Sequence, residues 1–123
     1  MAIIFADTNI VIEYLKGTKS VINMLNKCKA IYINDIVIME LYQGARDKKE
    51  LNFIKKNLKA FHILDTNQNI VALAREILDN YTLSHNTKIM DALIAATVMV
   101  YGLDLYTLNV KDFKYLKQVQ LYT

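Results

Sequence analysis

The 123-residue chain has no proline, three glycines, one cysteine and two histidines, and each scarcity removes a class of protein. Cys28 has no cysteine to pair with, so a disulfide-stapled scaffold is excluded. His62 and His85 lie far apart in sequence, and no thiolate or imidazole cage can be assembled from so few donors. Any metal must therefore be held by oxygen. Only Gly17, Gly44 and Gly102 punctuate the chain, and nothing in it reads as a linker, a low-complexity tract or a repeat, so a single domain over 1–123 is expected. The apolar runs fall well short of the ~20 residues that a membrane-spanning helix needs, and no signal-peptide pattern opens the sequence. A cytoplasmic protein with no membrane association is the expectation. What is present is 54% hydrophobic residues, enough for one packed core, with 15 Lys+Arg against 12 Asp+Glu. The resulting +3 is too mild to imply nucleic acid, so the placement of the acids carries more information than their number.

Short runs rich in Ile, Val, Tyr and Phe predict strands at 2–6, 30–33, 61–64, 103–107 and 119–122. Helical patterns lie between them at 9–16, 19–26, 36–46, 48–59, 67–83 and 91–101. In the helix over 67–83, Ile70, Val71, Ala74, Ile77, Leu78 and Tyr81 follow the 3.6-residue period behind Asp65 and Thr66 as candidate N-caps. The helix over 91–101 is apolar almost all round and stops before Gly102, so it belongs in the interior. Strands alternating with helices predict an α/β layered domain with a mainly parallel sheet, whose ligands bind outside the carboxyl ends of the strands.

Polar residues follow the first four strands: Asp7-Thr8-Asn9, Asn34-Asp35, Asp65-Thr66-Asn67, and Thr107 with Asn109 and Asp112. Asp35 and Asp65 read as helix N-caps, and Asp7 reads equally as cap or functional group. Glu40 has Ile36 and Val37 one turn earlier on its own side of a helix, which is not an evidently solvated face, and a partly buried carboxylate needs a partner. Asp91 heads the apolar helix, where capping is the simplest explanation. Together, however, Asp7, Glu40, Asp91 and Asp112 come from four segments, each predicted near the carboxyl edge of one sheet. Carboxylates brought that close repel by about 4 kcal/mol per pair at an effective dielectric of 20, so the cluster calls for a cation. A hard ion such as Mg²⁺ or Mn²⁺ suits all-oxygen ligands, and such a site is in outline one that cleaves phosphodiesters. Spacing alone does not single out these four, since Asp35, Asp47, Asp65 and Asp104 are also available.

Four stretches in order resemble the PIN-domain ribonucleases, and within them the VapC-type toxins of toxin–antitoxin pairs. They are Ile4-Phe5-Ala6-Asp7-Thr8-Asn9, Met39-Glu40-Leu41-Tyr42-Gln43-Gly44, Asp91-Ala92-Leu93-Ile94-Ala95-Ala96, and Leu105-Tyr106-Thr107-Leu108-Asn109-Val110-Lys111-Asp112-Phe113. The resemblance implies a three-layer α/β/α fold with a five-stranded sheet in the order 3-2-1-4-5. Asp7, Glu40 and Asp91 match the family's most dependable acids; the fourth position is matched by Asp112, or by Asn109 as in some relatives. Thr8, Asn9 and Thr107 match polar residues that orient carboxylates or water. The implied activity is endoribonuclease cleavage with one or two Mg²⁺ or Mn²⁺ ions. The implied partners are an RNA substrate, a second copy of the chain as a homodimer, and an antitoxin that brings a basic side chain to the acids.

Setting the four acids aside leaves 15 basic against 8 acidic side chains, a formal +7 available to an RNA backbone. Lys111 and Lys114, beside the last motif, are the candidate phosphate contacts, whereas Lys48, Lys49, Lys55, Lys56 and Lys59 read as a solvated helix face. The competing reading is a noncatalytic PIN-like module, binding RNA or protein, whose acids only cap helices. A phosphoacceptor receiver domain ranks behind both, because Asp7-Thr8-Asn9 lacks a neighbouring pair of acids.

Overall fold

Ile4, Phe5 and Ala6 have no exposed surface, as a central parallel strand covered on both faces requires. They belong to β1 (Ile3–Ala6), one of the two inner strands of a four-stranded parallel sheet in the computed structural model, which describes residues 1–123. The chain continues through α1 (Thr8–Lys16), α2 (Lys19–Asn26), β2 (Ala30–Asn34), α3 (Asp35–Gln43) and α4 (Lys48–Asn57). A 3₁₀ turn at Leu58–Ala60 leads to β3 (His62–Leu64), α5 (Gln68–His85), α6 (Ile89–Tyr101) and β4 (Asp104–Tyr106). The strand order is β3-β2-β1-β4, with helices completing the three layers expected of the fold. No helix is long and apolar enough to cross a membrane.

The expected fifth strand at 119–122 is reduced to one parallel bridge, Leu105 with Leu121, on the outer edge of β4. Two hydrogen bonds make it, from Leu105 N–H to the Gln120 carbonyl (2.7 Å) and from Tyr122 N–H to the Leu105 carbonyl (2.8 Å). Its place agrees with the order 3-2-1-4-5. β4 itself has three residues, bounded by the left-handed cap at Gly102 (φ 67) and by Thr107, which turns toward the site, so little edge remains to pair with.

A cluster of 26 buried apolar residues joins the layers. α6 supplies Ala92, Ile94, Ala95, Ala96 and Val98, as its all-round apolar pattern predicts, and packs along α5. The same helix buries Thr97, whose Oγ1 donates to the Leu93 carbonyl (2.7 Å) and accepts from Asn34 Nδ2 (3.0 Å). Asn34 has no exposed surface, and its Oδ1 accepts the Val37 N–H (3.1 Å), which makes Asn34 the N-cap of α3. Asp35, expected to cap, is the exposed first residue of that helix. Asn34 takes the role because it still has the extended backbone of β2 and stands three residues before the free N–H. Likewise α5 is capped by Asn67, which accepts the Ile70 N–H (3.1 Å), and not by Asp65 or Thr66. Asn34→Ala removes a cap and leaves Thr97 short of a buried partner; it lowers stability by about 2–3 kcal/mol, measurable by urea unfolding. A loss under about 0.5 kcal/mol would show that the buried pair contributes little.

Candidate functional site

β1 ends at Ala6 and α1 begins at Thr8, so Asp7 falls on the sharp turn where the carboxyl end of the strand meets a helix N-terminus. The capping reading of Asp7 holds, and the same side chain also reaches other segments. It is the N-cap, accepting the Thr8 N–H at Oδ1 (2.8 Å), and it is the most interlinked acid in the molecule. Its Oδ2 accepts from Thr107 Oγ1 (2.8 Å) and Asn9 Nδ2 (3.3 Å). Three donors occupy a carboxylate with about four acceptor positions, which leaves room for one further electrophile. Asp7 is 5% exposed; burial pushes its pKa up against these three hydrogen bonds, and the nearby charge of Asp112 raises it further.

Thr8 carries the arrangement across to α3, where its Oγ1 donates to Glu40 Oε1 (2.6 Å). This is the partner that a half-buried Glu40 requires. Asn9 ties β1 to the segment after β4: Nδ2 donates to Thr107 Oγ1 (3.3 Å), and Oδ1 accepts the Leu108 N–H (3.0 Å). Asn109 contributes main chain, its N–H donating to Thr107 Oγ1 (3.0 Å) and its carbonyl accepting the Asp112 N–H (3.0 Å).

Asp91 departs from its expected place as a helix start. α6 begins two residues earlier at Ile89, with Lys88 as N-cap residue and no side-chain capping bond. Asp91 therefore sits in the first turn as a free carboxylate with no hydrogen-bonded donor of its own. Partial burial pushes its pKa up to about 6, and the charges of Asp7, Asp112 and Glu40 add to the rise; only Lys88 opposes it. The other three acids are thus within electrostatic reach of Asp91.

Neither of the chain's ion pairs, Lys16–Glu13 and Arg46–Glu50, involves any of the four. Asp91 and Asp112 open on a cleft of about 680 Å³ that also takes in Lys88, Lys111 and Lys114. Glu40 opens on a second cleft of about 460 Å³ beside Arg46, whose guanidinium is held by Glu50. No three of the acids stand close enough to enclose an ion by themselves. The donor set still fits Mg²⁺ or Mn²⁺: it is all oxygen, no salt bridge ties up any of its carboxylates, and such ions keep part of their water shell instead of requiring a full protein cage.

Fold and site together define a three-layer α/β/α protein with an acidic centre at the carboxyl edge of its parallel sheet. The PIN domain family matches residues 4–117. The chain belongs to that family. It is 32% identical over 98% of its length to ribonuclease VapC of Rickettsia bellii, covering 95% of that protein. Among solved structures it resembles a chain of VapBC2 from Rickettsia felis bound to a promoter DNA fragment, with TM-score 0.84 and 25% identity, over 98% of this chain and 97% of that one. It also resembles a toxin–antitoxin complex from Klebsiella pneumoniae, with TM-score 0.78 and 27% identity, over 94% of each chain.

Sequence reasoning passed over two features beside the acids. One is the buried Asn34–Thr97 pair, signalled only by an asparagine closing a strand. The other is His85, which stacks on Tyr115 at the rim of the larger cleft.

Proposed function

We propose that the protein is a Mg²⁺- or Mn²⁺-dependent endoribonuclease and the toxin of a toxin–antitoxin pair. The observation that carries the reading is that Asp7, Glu40 and Asp112 all act electrostatically on Asp91, and that none of the four acids is held in a salt bridge, on a chain related to VapC ribonucleases. A group of acids of this kind, with Asp7 buried, Glu40 and Asp91 partly so and Asp112 exposed, is destabilising on its own and is relieved by a hard cation. When bound, one or two such ions supply Lewis acidity, lowering the pKa of water and neutralising charge on the scissile phosphate.

The four acids hold the ion, directly or through water. Thr107 and Asn9 keep Asp7 in one orientation, and Thr8 does the same for Glu40. Asp112 is the better fourth ligand, because its charge acts on both Asp7 and Asp91, whereas Asn109 serves through its main chain. In the reaction the oxygen of water bonds to phosphorus and the P–O3′ bond breaks. The proton goes to O3′, and a 5′-phosphate and a 3′-hydroxyl remain. The test is cleavage of single-stranded RNA with Mn²⁺, abolished by EDTA and restored by fresh Mn²⁺; an enzyme equally active in EDTA refutes the metal requirement.

Lys111 and Lys114, exposed on the cleft that holds Asp91 and Asp112, take backbone phosphates flanking the cut. Replacing both with Ala lowers the slope of log K against log salt by about 1.4, since each phosphate contact on a single strand contributes roughly 0.7. Filter binding across a salt series checks this, and an unchanged slope removes the assignment. The partner reading includes a homodimer and a cognate antitoxin. It draws support from the toxin–antitoxin complexes among the structural neighbours and from the attraction of an acidic pocket for a basic side chain.

A further inference from the structure

We propose that His85 is a stacking platform for a nucleobase of the RNA strand, forming with Lys88, Lys111 and Lys114 a subsite beside the acids. The proposal rests on the ribonuclease reading and adds a substrate contact to it.

An exposed histidine ordinarily samples several rotamers, and fixing it when a ligand binds costs entropy. His85 is exposed, yet its ring is held on three sides. It stacks on Tyr115 with centroids 4.1 Å apart and planes within 11°. Its Nδ1 is hydrogen-bonded to Ser84 Oγ (2.7 Å), and the Tyr81 ring meets it edge-on at 5.8 Å. Tyr115 is itself anchored by a hydroxyl hydrogen bond with Thr87 and by Tyr81, 5.3 Å away. The turn is set by Asn86, which caps α5 in the left-handed conformation (φ 52) with its N–H on the Thr82 carbonyl (2.8 Å). A flat ring is thereby presented to solvent at little further entropic cost.

Its surroundings name the occupant. His85 lines the same cleft of about 680 Å³ as Asp91 and Asp112, within the ~300–1,000 Å³ typical of ligand-sized clefts. Lys88, Lys111 and Lys114 line it too. A fixed aromatic face next to several cations is the combination that holds single-stranded nucleic acid, the ring taking a base and the cations the backbone. The two acids in the cleft repel an anionic backbone unless a cation is present, so the lysines and the ring provide the attraction on the metal-free side of the cleft.

The test is fluorescence anisotropy in EDTA, using a short fluorescein-labelled single-stranded oligoribonucleotide and its counterpart made of abasic nucleotides. The parent binds the intact strand about 10-fold more tightly than the abasic one, His85→Ala loses that difference, and His85→Phe keeps most of it, because stacking tolerates any aromatic face. Thermal melts of the two variants separate a lost contact from a lost fold, and the parent's intact-against-abasic comparison stands even if His85→Ala fails to fold. The proposal is overturned if the parent binds neither strand or both equally, if His85→Ala retains the parent's preference, or if His85→Phe falls as far as His85→Ala. Absence of cleavage by the parent with Mn²⁺ defeats the ribonuclease reading, whereas a retained preference in His85→Ala defeats the subsite alone.

Discussion

Asp7→Asn lowers the rate of RNA cleavage in Mn²⁺ by at least about 100-fold while the protein remains folded. The substitution keeps the shape of the side chain and removes its charge from the point where the network converges. Asp7 Oδ2 accepts from both Thr107 and Asn9, and Oδ1 accepts the Thr8 N–H. An amide in that place offers one accepting oxygen where two are in use, so its NH₂ faces either the helix N–H or the Thr107 hydroxyl, and Thr107 must turn its proton away. The electrostatic effect is larger still: a proposed cation loses its most deeply buried anion. Folding survives because the buried charge, which burial itself penalises, is gone. Cleavage assays on variant and parent, each with a matched circular dichroism melt, read the outcome. A folded Asp7→Asn that cuts at the parent's rate rejects the assignment.

Saturating Mn²⁺ raises the melting temperature of the parent by roughly 10 °C, since an ion at 100 times its Kd adds about 2.7 kcal/mol. The Asp91→Asn variant loses most of that increment. In the absence of metal the same variant is more stable than the parent at pH 7.5, for a reason visible in the charge balance around Asp91. Its pKa is raised from 3.8 to about 6 in the folded protein, so folding favours the protonated acid. That preference stabilises the native state fully below about pH 3.8 and is lost as pH rises through about 6. The metal-free parent therefore weakens between pH 4 and pH 7 relative to Asp91→Asn, which does not titrate. The size of the difference is held down because the side chain is only partly buried and solvent screens it. Melts at pH 4.5 and pH 7.5, with and without Mn²⁺, separate the two effects. Equal Mn²⁺ shifts in parent and variant rule Asp91 out as a ligand, and a parent as stable as the variant at pH 7.5 without metal rules out the repulsion.

Much of the architecture was legible because it depends on patterns that repeat along the chain. The period of Ile70, Ala74 and Ile77 marked the buried stripe of α5, and the run from Ala92 to Val98, apolar but for Thr97, marked α6 as interior. The run closed by Asp7 marked a central strand with a carboxylate at its carboxyl end. Local choices between similar residues were not legible. Asn34 and Asp35 cap equally well by type, and only the backbone conformation at the end of β2 decides between them. Asp91 looked like a helix start because the apolar run begins after it, yet Ile89 and Met90 are already helical, with their side chains exposed. That shift of two residues turns a cap into an unpartnered acid. His85 was unreadable for a similar reason, since its meaning lies in a stack with Tyr115, thirty positions away in sequence and in contact through the fold.

From the sequence alone came the alternation of strands and helices, the oxygen-only chemistry that follows from having one cysteine and two histidines, and the set of acids from which any site must be drawn. These are properties of composition and period, which act over a few residues and need no knowledge of distant neighbours. Tertiary structure decided which acids act on Asp91, how Thr8 links Asp7 to Glu40, and why the pKa of Asp91 is pushed up to about 6. Those depend on electrostatic and hydrogen-bonding distances between segments far apart in the chain, and only the packing of helices on a parallel sheet sets such distances.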